Sequence, residues 1–231
     1  MNQLLAIDTS TSRASVALAI GDTLYYVEQG NIREHAQYLL PMIQQLLTEA
    51  DVTMPSLDGI IMGQGPGSFT GLRIACSVVK GLAYGHDLPV YPVSSLEAIA
   101  EAVFYAESEG EATSVQSSNS AVLALIDARM HEVYWDCYQF NGEHLENRVG
   151  PISTLCLPES GPLIIAGVGF EDYLSALPKN IQQRCIKQCV VYPDARAMIR
   201  LVRAGRIPPV SAGEALPVYV RNQVVQGASR G

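Results

Sequence analysis

Two like lobes of mixed α/β structure are the fold class that the sequence predicts, and three observations predict it. Short apolar runs alternate with longer stretches of helical periodicity, the pattern of sheets covered by helices. Two segments echo one another: Leu4-Leu5-Ala6-Ile7-Asp8-Thr9-Ser10 leading into Ala14-Ser15-Val16-Ala17-Leu18, and Leu123-Ala124-Leu125-Ile126-Asp127-Ala128-Arg129 leading into Glu132-Val133-Tyr134-Trp135. Each reads as a buried strand ending in Asp, a short turn and a second strand. A later echo joins Gly59-Ile60-Ile61-Met62-Gly63-Gln64-Gly65 to Pro162-Leu163-Ile164-Ile165-Ala166-Gly167-Val168-Gly169 in the same order, as a duplication would leave it.

After the first strand pair, residues 33–50 carry Ala36, Leu39, Leu40, Met42, Ile43, Leu46 and Leu47 at helical spacing. That stripe is wider than one core face needs, and Pro41 inside it marks a kink or a late start near Leu40. The strand at 59–62 then enters a glycine-rich join. A helix follows over 69–84, with Leu72, Cys76, Val79 and Ala83 on one side and Gly71, Ala75 and Gly81 permitting close approach. Ser94 or Ser95 caps a helix through Ala106. Residues 107–120 are rich in Ser and Glu and read as a flexible connection. Beyond the second strand pair, Asp194 caps a basic helix that stops at Gly205. The expected division is a first lobe over 1–106, the connection 107–120, a second lobe over 121–206, and a tail over 207–231 that packs back or is disordered. Within the tail, Leu216-Pro217-Val218-Tyr219-Val220 reads as a short ordered segment.

Composition excludes several classes. The chain has 231 residues, 48% of them hydrophobic, enough for one large or two small cores. Its net charge of −8 argues against autonomous nucleic-acid binding, which needs a basic footprint. The charge is uneven: residues 179–206 hold seven cations and one acid, read as a solvated helix face, the sharper alternative being a contact for RNA phosphate or an acidic partner. The five cysteines are scattered without a Cys-x-x-Cys pair, which fits reduced thiols. With no signal-like start and no apolar run of spanning length, a cytoplasmic protein without a membrane segment is expected.

The join Gly63-Gln64-Gly65-Pro66-Gly67-Ser68-Phe69-Thr70-Gly71-Leu72-Arg73 is the most informative stretch. Glycines there let the backbone turn sharply, and the amides at the following helix start suit an anion. The same residues also suit a tight strand-to-helix turn that binds nothing. The common chemistries fail on inspection. A P-loop needs Lys-Ser/Thr after its last glycine, where Leu72-Arg73 stands. The dinucleotide fingerprint needs glycine where Ser68 stands. A hydrolase elbow centres its serine, and Ser68 comes one place early. No histidine, aspartate or cysteine partner supports peptidase chemistry.

Two lobes that each open with strand-Asp-turn-strand resemble the actin-like (ASKHA) architecture of sugar kinases and chaperone ATPases. The residues Leu5-Ala6-Ile7-Asp8-Thr9-Ser10, Arg33-Glu34-His35, Leu40-Pro41-Met42, Gly65 to Arg73, Ile126-Asp127-Ala128-Arg129, Glu132-Val133-Tyr134 and Pro217-Val218-Tyr219 resemble the bacterial TsaB family of tRNA threonylcarbamoyladenosine biosynthesis proteins. The resemblance runs nearly end to end, loosest over 107–120 and 145–187. It implies a non-catalytic subunit that pairs with the related transferase TsaD, acts with the ATPase TsaE, and self-associates through first-lobe helices when alone. It further implies that tRNA is met only through the complex. The residues point the same way: His35 is followed at i+4 by Leu39, not by the second histidine that a helical metal pair requires. Ser10 stands where an active ATPase has glycine, and Arg129 crowds the matching turn of the second lobe. No metal or cofactor is expected in the isolated chain, with ATP or ADP only at the complex junction. The partner interface is expected at His35, Leu39, Met42, Ile43, Leu46, Phe69, Leu72, Arg73 and Cys76. A residual nucleotide site would use Asp8, Ser10, Gly65, Gly67, Ser68 and Asp127. Two rivals remain: an active actin-like ATPase or small-molecule kinase, and a direct tRNA-binding module resting on 179–206.

Overall fold

The computed structural model describes residues 2–30, 35–109, 120–157 and 161–220, the side chains of His35 and Glu109 excepted. Among the described residues, ten strands form two five-stranded sheets. In the first, β1 (Gln3–Asp8), β2 (Arg13–Ile20), β3 (Thr23–Gly30), β4 (Gly59–Gly65) and β5 (Val90–Ser94) are ordered β3-β2-β1-β4-β5. In the second, β6 (Ala121–Arg129), β7 (Glu132–Gln139), β8 (Arg148–Pro151), β9 (Leu163–Val168) and β10 (Cys185–Val190) are ordered β10-β9-β6-β7-β8. Pairing directions match strand for strand. The two hairpin steps of each sheet are antiparallel and the two crossover steps parallel. This is the duplication that the sequence echoes announce.

Period-2 alternation divides β1 between two cores. Leu5 and Ile7 face one side, with Val16, Leu18 and Ile60. Leu4 and Ala6 face the other, with Ala17 and Ile61. The first side is covered by α1 (His35–Glu49) and α2 (Phe69–His86), and α1 continues through Pro41 without a late start. After the short α4 (Lys179–Arg184), the other side is covered by α5 (Ala195–Arg203), which Asp194 caps by accepting the Arg196 N–H at 2.7 Å.

The helices cross between lobes. α3 (Ser95–Glu109) follows β5 in sequence, yet Leu96, Ile99, Ala100 and Val103 pack on Val122, Ala124 and Ile164 of the second sheet. α5, reached from the second sheet, packs on the first. α3 therefore runs past the expected boundary at 106 and packs on both sheets, Ala98 on the first and Leu96, Ile99, Ala100 and Val103 on the second, while α5 packs on the first. Residues 107–109 are helical rather than connecting, and the rest of the expected connection, 110–119, lies outside the described residues. The reason is topological: a parallel crossover must place its helix on a sheet face, and the faces between the two sheets are the ones left open. α3 and α5 meet there, with Arg200 on Glu101 at 3.1 Å and stacked over Tyr105 at 4.0 Å.

The reading of 179–206 as a solvated face holds for Lys179, Lys187, Arg203 and Arg206, which are exposed, while Arg184, Arg196 and Arg200 are half-buried. Arg196 grips Asp194 and lies over Tyr26 at 3.9 Å; Arg203 donates to the Gly21 carbonyl; Lys187 pairs with Glu107. Of these contacts, Arg200 on Glu101 joins α5 to α3, and Lys187 on Glu107 joins β10 to α3. The tail from Ile207 to Val220 wraps the first lobe. Val210 bridges Val90, Lys80 donates to the Gly213 carbonyl at 3.0 Å, and the Val218 N–H donates to the Gln64 carbonyl at 2.8 Å. Residues 221–231 lie outside the described set. Among the described helices none is long and apolar enough to cross a membrane.

Candidate functional site

A cleft of about 620 Å³ opens between the lobes. The turn after β1 and the start of α2 form one wall, through Ser10, Thr11, Ser12, Gly67, Ser68 and Phe69. The turn after β6 and the segment after β9 form the other, through Asp127, Arg129, Gly169 and Glu171. Tyr134, Tyr192, Val218 and Tyr219 close the rim. Of the residues expected at a nucleotide site, Ser10, Gly67, Ser68 and Asp127 meet here, and Asp8 and Gly65 do not.

Asp8 is sealed behind the wall. Its side chain is fully buried, and its Oδ1 accepts the Ser10 N–H at 2.9 Å and the Ser10 hydroxyl at 2.8 Å. Oδ2 lies 3.4 Å from the Ser95 hydroxyl. Gly63 leaves the room: a Cβ there would stand 2.0 Å from Asp8 Oδ2. Burial pushes the Asp8 carboxyl up to about 6, against the opposing hydrogen bonds of Ser10 and Ser95. Asp8 thus ties the first hairpin to the β5–α3 crossing and does not reach the cleft. Gly65 packs under Leu72 and the Val218 carbonyl at φ +99°, a conformation that favours glycine.

The glycine-rich join serves close packing. A Cβ at Gly67 would meet the Ser10 carbonyl oxygen at 2.2 Å, and one at Gly71 the Thr9 carbonyl oxygen at 1.9 Å. Because both are glycines, the start of α2 lies directly on the β1–β2 turn. Two donors at this turn are then spent on the chain itself. The Ser68 N–H donates to the Ser10 carbonyl at 2.6 Å, and the Gly71 N–H to the Ser68 hydroxyl at 3.3 Å. Thr9 donates its hydroxyl to the Gly71 carbonyl at 2.7 Å. The place where a helix start would hold a phosphate is filled by Thr9 and Ser10.

Asp127 is oriented by its own turn, accepting the Arg129 N–H at 2.9 Å. The Arg129 guanidinium stands 3.7 Å away with its side chain 80% exposed, so it lines the cleft without sealing it, contrary to the expected plug. The turn is unusual: Arg129, Met130 and His131 all have positive φ, at 64°, 56° and 63°. Among the described residues, no group of three or more His, Cys, Asp or Glu side chains is arranged to hold a metal ion.

The expected interface residues divide sharply. Leu39, Met42, Ile43 and Leu46 of α1 and Cys76 of α2 are buried in the first-lobe core, and Leu72 is buried where it lines the cleft, so the broad stripe is not a surface. The physical reason is that α1 lies in the corner between β2, β3 and α2, and needs two apolar faces rather than one. Phe69 and Arg73 are exposed as expected, Arg73 stacked over Phe69 at 3.9 Å and donating to the Tyr219 hydroxyl at 3.3 Å. The His35 side chain lies outside the description. The outward face of the two helices is instead Gln37, Leu40, Gln44, Ser77, Gly81 and Tyr84, with Leu40 52% and Tyr84 86% exposed. A Cβ at Gly81 would meet nothing within 4 Å. Sequence reasoning missed Leu40 and Tyr84 as surface; their spacing from Gln44 and Gly81 was the available signal.

Comparison with known proteins agrees over most of the chain. Residues 29–161 match the family model described as TsaD, tRNA N6-adenosine threonylcarbamoyltransferase. The chain is 34% identical to the tRNA threonylcarbamoyladenosine biosynthesis protein TsaB of Haemophilus influenzae, covering 96% of this chain and 94% of that one. To TsaB of Escherichia coli it is 33% identical, covering 96% of each. Among solved structures, YeaZ from Pseudomonas aeruginosa superposes with a TM-score of 0.82 at 37% identity, over 95% of this chain and all of that one.

Proposed function

The chain belongs to the TsaB family of tRNA threonylcarbamoyladenosine biosynthesis proteins, and from that premise we propose that it is a non-catalytic subunit that binds and activates the transferase TsaD. The reaction served is transfer of a threonylcarbamoyl group from its adenylate to the adenosine beside the anticodon. TsaE is the third member of the assembly, and tRNA meets this chain only through the complex. Alone, the chain pairs with a second copy through the same helices.

One observation carries this reading: the niche where an actin-like ATPase would cradle phosphate is occupied by the chain itself. Asp8 is buried behind Ser10 and Ser95, and at the start of α2 the Ser68 amide is spent on the Ser10 carbonyl and the Gly71 amide on the Ser68 hydroxyl. Any ATP or ADP then belongs at the junction with the partner. The docking face is the outer side of α1 and α2. A glycine in a helix interior gives up about 1 kcal/mol relative to alanine. At Gly81 nothing among the described residues requires that loss, whereas close approach of a partner helix would.

Reconstitution tests it. TsaD, TsaE and tRNA with threonylcarbamoyl-AMP are expected to modify tRNA only when this chain is added, by mass spectrometry of the digested nucleosides, and Gly81→Arg is expected to abolish the effect while leaving circular dichroism unchanged. Metal-dependent ATP turnover by the isolated chain would overturn the non-catalytic assignment and favour the ATPase rival.

A further inference from the structure

We propose that the start of α3 is a proton-sensitive joint between the lobes: three carboxylates drawn from both of them, Asp8, Asp136 and Glu97, converge on Ser94-Ser95, and the joint loosens as they ionise. The joint belongs to the isolated chain and stands whether or not a partner docks on α1 and α2.

Ser94 ends β5 and Ser95 begins α3, so this dipeptide is where the chain leaves the first sheet for the second. Asp8 reaches it from β1, its Oδ2 lying 3.4 Å from the Ser95 hydroxyl. Asp136 reaches it from β7 through the Tyr138 hydroxyl, which is hydrogen-bonded to both Asp136 and Ser94. Both aspartates are fully buried. Asp136 Oδ1 accepts the Cys137 N–H at 2.7 Å. Its Oδ2 lies 3.0 Å from Nδ1 of His144, whose ring stacks on Tyr138. Glu97, half-buried in the first turn of α3, is the third acid. A change in how the lobes meet here changes the cleft, because its two walls belong to different lobes.

Acids outnumber the cations that face them. His144 touches Asp136, and Arg206, from the segment after α5, faces Glu97 together with His144. Arg200 is engaged by Glu101, a further acid that faces Glu97, and Asp194 faces Asp8. Burial is therefore the largest influence. It pushes Asp8 up to about 6, and raises Glu97 and Asp136 against the cations and hydrogen bonds that oppose it. In the closed joint each acid holds its proton to a higher pH than it would in water. The stabilisation that Asp8 gives is thus full below about pH 4 and is lost as pH rises through about 6. Glu97 and Asp136 act with the same sign. Loss of the His144 proton adds to it, since Asp136 then has a neutral partner. Opening at Ser94-Ser95 hydrates the ionised groups and relieves the penalty.

Hydrogen exchange of the full chain, followed by mass spectrometry and corrected for the intrinsic rate at each pH, tests the joint. Peptides spanning 95–101 and 136–147 are expected to lose at least about tenfold in protection between pH 5 and pH 7.5. Tenfold is the factor set by Asp8 alone in moving from 3.8 to about 6. These peptides are expected to stay less protected than those of β1 and β4 throughout, the mark of a local opening. Asp8→Asn is expected to cut the fall about fivefold and Glu97→Gln about twofold. Asp22→Asn, which removes an exposed acid in the β2–β3 turn, is expected to leave it unchanged. A parent whose protection falls less than about twofold overturns the joint. So does a fall as steep in Asp8→Asn and Glu97→Gln as in Asp22→Asn, or protection equal to that of β1 and β4, which would make the opening global.

Discussion

Replacing Asp8 with Asn isolates the cost of burying its carboxylate. Burial raises the Asp8 pKa from 3.8 to about 6, so between those values the native state binds more protons than the unfolded chain. Stability is then greatest below about pH 4 as far as this group is concerned, and falls as pH rises through about 6. At 1.36 kcal/mol per pH unit, the ionised form carries a penalty of about 3 kcal/mol at neutral pH. Asn keeps an oxygen for the two bonds from Ser10 and places an N–H where Oδ2 faces the Ser95 hydroxyl at 3.4 Å. It removes the charge without orphaning a partner. Asp8→Asn is therefore expected to stabilise the protein by about 1–3 kcal/mol at pH 7.5, or about 3–10 °C in Tm, with the gain vanishing near pH 4. Urea unfolding followed by circular dichroism at both pH values measures it. A variant less stable than parent at pH 7.5, or a gain independent of pH, would refute the assignment of Asp8 as a desolvated structural anchor.

Three further outcomes follow from the geometry. Gly71→Ala is expected to destabilise by about 2–3 kcal/mol in chemical denaturation, because its Cβ would stand 1.9 Å from the Thr9 carbonyl oxygen. Gly81→Ala, in contrast, is expected to stabilise by about 0.5–1 kcal/mol in the same assay, since its Cβ meets nothing within 4 Å and alanine is the better helix former. The two-residue turn Met130-His131 joins the paired Arg129 and Glu132 with both φ positive, a geometry that favours Asn-Gly. The double substitution Met130→Asn with His131→Gly is expected to raise Tm by about 2–4 °C, offset in part by loss of the His131 ring against Tyr173.

The parts of this fold that were legible in the sequence are the locally encoded ones. Apolar strands ending in Asp8 and Asp127 announced two lobes, and Asp194 and Gly205 bracket the last helix almost as read, because capping is decided by neighbours in sequence. What escaped is non-local. Period alone could not say that Leu39, Met42, Ile43 and Leu46 all turn inward, since the number of surfaces around α1 is a property of the tertiary packing. Nor could it say that α3 packs on both sheets and α5 on the first. In the cleft, Ser10, Gly67, Ser68 and Asp127 converge as the two echoed turns suggest. Asp8 was misplaced because a strand-end aspartate looks the same whether its carboxylate faces a cleft or lies behind Ser10 and Ser95.

The central claim is that the outer side of α1 and α2 binds the transferase. It is tested most directly by mixing the purified chain with TsaD and measuring mass by size-exclusion chromatography with light scattering, each protein also run alone. A one-to-one complex that replaces any homodimer, and is lost with Gly81→Arg, is the expected result. Persistence of separate species with and without nucleotide would contradict it.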